Sequence, residues 1–224
     1  MTAIKSPKTP RKRSHDVDQA ASLRSTKTVQ VAIGFRVKSG RAIAVVLAGP
    51  PDSPQVLARR EIALCEPAVP DSIQPYHAAL EMPGSKATKE IERLVKIVRQ
   101  ATNSSVGDLI KEWRDAGHEI CGAGLVVGSL IDPATIKNDH IRAHALEGQL
   151  FRVAVQEALL SNALTSVAIP ERDVYSRAAA ALARSGDDLK RVVSELGRAV
   201  GGPWRADEKT ATLAAWMALR SCWG

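Results

Sequence analysis

The stretch VAIGFRVKSGRAIAVVLAGP, residues 31–50, constrains what this chain can fold into more than any other. Residues 29–37 and 41–48 are apolar, β-branched runs joined by Lys38-Ser39-Gly40, the chemistry of a hairpin turn. After the turn-rich GPPDSP, residues 55–64 (QVLARREIAL) supply a third strand. Helical patterns follow over 72–82 and 86–102. In KATKEIERLVKIVRQ, Ile91, Leu94, Val95 and Val98 recur at the spacing of one buried helical stripe. A further helix, VGDLIKEWRDAG, stops at Gly117. The continuous apolar run of HEICGAGLVVGS, residues 118–129, predicts a fourth strand covered on both faces. A long helix over about 140–161, a fifth strand in LTSVAIP stopped by Pro170, and helices over about 171–184, 187–199 and 206–221 complete the order.

Three strands in a row form a meander. Two later strands, each reached through a helix, return parallel to the first. The expected architecture is therefore α/β: a ribonuclease H-like mixed sheet with a three-stranded antiparallel meander, two parallel strands and flanking helices. No internal repeat interrupts it, so residues 29–224 read as one domain.

Residues 1–28 lack hydrophobic periodicity and read as a disordered basic arm. Seven of the 31 Lys and Arg fall there against Asp16 and Asp18, so +5 of the net +7 belongs to the arm. Lys8, Arg11, Lys12 and Arg13, in KTPRKRS, suit a phosphate-seeking tail for nucleic acid. The competing reading is a solubilising tail without a partner, since no aromatic side chains interleave to stack on bases. No apolar run approaches the roughly 20 residues of a membrane span, and the N-terminus lacks the apolar stretch of a secretory signal. Cys65, Cys121 and Cys222 are odd in number and without paired spacing, which suggests neither a metal knuckle nor a disulfide framework. A reducing, cytoplasmic location is the plain expectation.

Two stretches resemble the RuvC and YqgF branch of ribonuclease H-like proteins. VAIGFRVKSGRAIAVVL resembles that family's first hairpin, in which GxD precedes a glycine-containing turn. ADEKTATLAAWMALR resembles its last helix, where an acidic start leads into DAxxxA. Together they make up about a seventh of the chain. The resemblance implies carboxylates on the first strand, the fourth strand and the last helix holding two Mg²⁺ or Mn²⁺ ions for phosphodiester cleavage. Carried onto this chain, those acids fall at Arg36, about Gly128 and about Thr210, with Asp207 and Glu208 one turn before the last. The resemblance thus implies the frame of a nuclease whose metal ligands are degenerate.

Other constellations admit two readings each. His140, His144 and Glu147 stand at i, i+4 and i+7. On a helix already running at residue 140 they share a face and suit a metal such as Zn²⁺, or a general base. Otherwise His140 precedes the helix and Glu147 is a first-turn acid favoured by the dipole. Arg142, His144, Glu147 and Arg152 lie on the helix that follows strand four, where a cleft shared with Arg36 would favour phosphate or carboxylate ligands. Glu171 and Asp173 begin another helix, as substitute acids or as caps. Trp204 and Arg205 can clamp a ligand, or Trp204 can cover the edge of the core. CGAGLVVG lacks the spacing of a dinucleotide loop, and its small residues suit close helix packing instead.

The leading expectation is a non-catalytic or weakly active protein that binds DNA, RNA or another phosphate-bearing partner. Arg36, Arg142, His144, Trp204 and Arg205 would be its contacts, and no cofactor is needed. The enzyme alternative is a divergent nuclease or phosphohydrolase using Glu147, Asp207, Glu208 and His144, with Mg²⁺ or Mn²⁺ on Glu147 and Asp207. A third alternative is a structural or assembly protein without a ligand.

Overall fold

A computed structural model describes residues 28–223. Five strands form one sheet in the order β3-β2-β1-β4-β5: β1 (Val29–Lys38), β2 (Arg41–Ala48), β3 (Gln55–Ala63), β4 (His118–Val127) and β5 (Ser166–Pro170). β1–β2 and β2–β3 are antiparallel, whereas β1–β4 and β4–β5 are parallel. This is the mixed sheet that the strand order predicts. The hairpin closes at the pair Lys38–Arg41, with Gly40 at φ +75°, a conformation disfavoured for any residue carrying Cβ.

Alternation along β1 sorts its side chains between two cores. Val31, Ile33, Phe35 and Val37 face α2 (Gly84–Asp115) and α3 (Asp139–Ser161), where Val98, Val106, Leu109, Ile110, Phe151 and Val155 complete one apolar layer. Ala32 faces α4 (Val174–Leu182), α5 (Gly186–Leu196) and α6 (Ala206–Ser221), with Val126, Leu189, Leu213 and Trp216. Each fully buried Leu or Val contributes roughly 1.5–3 kcal/mol.

The helix α6 lies unusually close to the sheet because the strands beneath it carry glycine. A Cβ on Gly34 would stand 1.9 Å from the Ala211 carbonyl oxygen, and one on Gly124 would stand 2.6 Å from that of Ala214. Gly124, in CGAGLVVG, therefore admits the close approach of α6.

Two helical expectations change. The patterns over 86–102 and 106–117 belong to one helix, α2, of 32 residues. The polar stretch TNSS lies inside this helix, where Thr102 is fully buried and its hydroxyl donates to the Leu64 carbonyl at 3.2 Å. Residues 72–82 form only a 3-10 turn, Pro70–Ile73, and the four-residue α1, Pro75–Ala78.

The expectation of unpaired cysteines is also corrected. Cys121, on β4, and Cys222, just past α6, form a disulfide across a separation of 101 residues. No local spacing announces such a pair. It exists because α6 packs back over β4. Cys65 is free. The basic arm, with Lys8, Arg11, Lys12 and Arg13, lies outside the described residues. No described helix is long and apolar enough to cross a membrane.

Candidate functional site

Carboxyl ends of β1 and β4 meet the first turns of α3 around a cleft of 610 Å³. Five basic residues line it: Arg36, Lys38, Arg41, His144 and Arg152. No Asp or Glu lines it. Leu130, Ile131 and Ile141, all exposed, give it an apolar rim.

Arg36 is the position where the resemblance places the first-strand acid. Only 5% exposed, it points to the α6 side of the sheet, as alternation requires. Its guanidinium pairs with Glu171 and donates to the Val37 carbonyl at 2.9 Å. Arg36 Nε stands 3.8 Å from Asp207 Oδ1, and Lys38 Nζ stands 2.7 Å from the other oxygen of Asp207. Two cations and two carboxylates thus form a neutral cluster. Glu171 sits in the 3-10 turn Glu171–Asp173 that precedes α4, so it serves as the partner of Arg36. Gly128 carries no donor, and the Thr210 hydroxyl donates to the Asp207 carbonyl at 3.1 Å. This donor set does not fit a pair of hard divalent ions. A guanidinium occupies the central position, and both nearby carboxylates already answer a cation.

The acids of the enzyme alternative are not brought together. Glu208, 3% exposed, is bound by Arg59 at 2.6 and 3.0 Å and accepts from the Arg205 backbone N–H at 2.8 Å, closing the first turn of α6. Burial raises its pKa, but the hydrogen bonds from Arg59 and from backbone N–H groups outweigh that and hold the carboxyl below the usual glutamate range. Glu147 lies on α3, on the opposite face of the sheet from Asp207 and Glu208.

Among the remaining predicted contacts, His144 and Arg152 join Arg36 in the cleft. Arg142 pairs with Asp139 on its own helix and reaches the Ile136 carbonyl at 3.3 Å. Arg205 is exposed at the start of α6. Trp204 lies against Gly197, and its Nε1 donates to the Val193 carbonyl at 2.8 Å, so it covers the edge of the core. Lys38 and Arg41 escaped sequence reasoning, although their positions flanking the Ser39-Gly40 turn put them at the carboxyl end of β1.

The histidine face is settled by where α3 begins. Asn138 caps it, accepting from Ile141 N at 2.9 Å, so His140 already lies within the helix. Glu147 falls two turns further on and is fully buried. A third histidine, His77 of α1, joins them. Its Nδ1 is 2.8 Å from Glu147 Oε1, and its backbone N–H donates to the same oxygen at 3.2 Å. Ring centroids of His77, His140 and His144 are separated by 4.1–4.7 Å. Nothing in QPYHAAL announced His77, because its partner lies on a distant element.

This architecture is the ribonuclease H-like fold. Among solved structures it is similar to RuvC of T. thermophilus in complex with a Holliday junction substrate, at 12% identity and a TM-score of 0.53, covering 87% of this chain and 96% of that one. T. thermophilus RuvC alone matches at 14% identity and a TM-score of 0.49, over 84% and 92% of the two chains. The yeast mitochondrial Holliday junction resolvase Ydc2 matches at 10% identity and a TM-score of 0.40, over 85% and 79%. No family model matches the chain, and no curated protein matches it significantly.

Proposed function

We propose that the chain is a nucleic-acid-binding protein built on a nuclease frame, in which the fold's two-metal chemistry has given way to a cationic cleft. The observation that carries this reading is Arg152. It lines a cleft free of acids, makes no hydrogen bond or ion pair among the described residues, and has its Nε buried without a partner. Arg36, Lys38 and Arg41 in the same cleft each have a carboxylate partner. A phosphate oxygen supplies the acceptor that Arg152 lacks. The exposed apolar rim suits sugar and base faces. Phosphate contacts release condensed counterions, so affinity falls steeply with salt.

The test is fluorescence anisotropy of the full chain with labelled duplex and four-way branched DNA across a salt series. Arg152→Ala should weaken binding to every sequence alike and reduce the log–log salt slope by about one. Deletion of residues 1–28 should lower it further. Binding that is absent at low salt, or that does not depend on salt, removes the proposal.

A further inference from the structure

We propose that His77, His140 and His144 form a binding site for a zinc-class transition-metal ion, with Glu147 as the carboxylate that orients the ligands. This site does not depend on the nucleic-acid reading above.

Two of the histidines stand one turn apart on α3, and the third comes from α1, so an ion between them would tie the two elements together. One ring nitrogen from each lies within 4.8 Å of the other two. Small side-chain rotations bring such nitrogens onto one ion at the usual Zn–N distance of about 2.0–2.1 Å.

The tautomer of His77 follows from its surroundings. Glu147 Oε1 already accepts from the His77 backbone N–H, so in the neutral ring Nδ1 carries the proton and Nε2 presents a lone pair. That Nε2 is buried and has no partner. A buried acceptor without a donor is costly, and a metal ion satisfies it. A carboxylate holding the far nitrogen of an imidazole is the outer-shell device that fixes ring orientation at metal sites. Glu147 is fully buried, and its second oxygen, Oε2, is also unpartnered, 3.8 Å from His144 Nδ1. A short movement lets Oε2 accept from His144 as well, freeing the other nitrogen of that ring for the ion. One buried carboxylate would then orient two ligands.

Three imidazoles select the ion class. Nitrogen donors suit zinc, copper and nickel, and poorly suit magnesium. His140 and His144 are exposed, so the fourth coordination position opens to solvent. His144 also lines the cationic cleft, which places the ion at its rim.

The experiment uses the tag-free full chain, stripped with a chelator and titrated with Co²⁺ while the visible d–d absorption is recorded. Zn²⁺ then competes. One equivalent of cobalt should give an intense four-coordinate band that zinc abolishes. His140→Ala and His144→Ala remove exposed side chains, so folding should survive while the band is lost. Glu147→Gln should weaken cobalt and zinc binding by about 10–100-fold, with circular dichroism checking that the variant is folded. His77→Gln reports the α1 ligand. Absence of the band in the parent chain overturns the proposal, as does a band that persists in both α3 variants. Parent affinity in a folded Glu147→Gln variant overturns the orienting role.

Discussion

Replacing Arg36 by the acid that its position resembles tests whether its guanidinium stands in for a metal ion. Arg36→Asp removes the cation between Glu171 and Asp207 and adds a third carboxylate. Loss of one partner from a buried ion pair costs roughly 3–5 kcal/mol. Here the Glu171 side chain is 41% exposed and Asp207 keeps Lys38 at 2.7 Å, so the lower half of that cost or less applies. Repulsion between like charges about 4–5 Å apart is about 3–4 kcal/mol at an effective dielectric of 20, and water at Glu171 reduces it further. Taking about half of each term for this exposure gives a combined loss of about 3–4 kcal/mol, or a fall in Tm of about 10 °C for a chain of this size. The same three carboxylates would form an oxygen cage for Mg²⁺. An ion present at about a hundred times its Kd restores about 2.7 kcal/mol, more than half of the loss. Thermal unfolding with and without millimolar magnesium reads both effects. Magnesium should raise the Tm of the variant well above any change in the parent chain, because the histidine cluster offers it only nitrogen. Equal stability of variant and parent without magnesium, or an equal magnesium response in both, would show that the Arg36 guanidinium does not stand in for a metal ion.

Two further outcomes test the packing and the ion pairs. Gly34→Ala should prevent folding or cost more than about 4 kcal/mol, because the new Cβ would meet backbone atoms of α6 at 1.9 and 2.4 Å; a soluble variant with parent-like urea unfolding contradicts the close approach of helix and strand. Glu208 has a folded-state pKa below its unfolded value, so its contribution is complete above the usual glutamate range and is lost as pH falls through the folded value. Urea midpoints measured from pH 6 down to pH 3 should therefore fall less steeply in Glu208→Gln than in the parent; parallel curves would mean that Arg59 adds nothing to the carboxylate.

The histidine cluster shows where a sequence stops informing. The i, i+4, i+7 spacing put His140, His144 and Glu147 on one face only if the helix included residue 140, and the Asn138 cap decides that it does. Glu147 then turns out to face His77, not solvent, because α1 folds over α3. Arg36 was legible as an unusual residue for its position. Its role as the partner of Glu171 was not, since 135 residues separate them.

By itself, the order of apolar runs determined the sheet. Period-two alternation and a short hairpin turn leave few ways to pair β1, β2 and β3, and helical crossovers dictate that β4 and β5 run parallel to β1. The glycines under α6 and the basic residues around the turn were likewise written locally. Only the tertiary structure decided which groups meet: Arg36 with Glu171 and Asp207, Cys121 with Cys222, and His77 with Glu147. Local pattern reflects backbone geometry that repeats every two or 3.6 residues. Contacts between elements depend on how those elements pack, and no spacing along the chain encodes that directly.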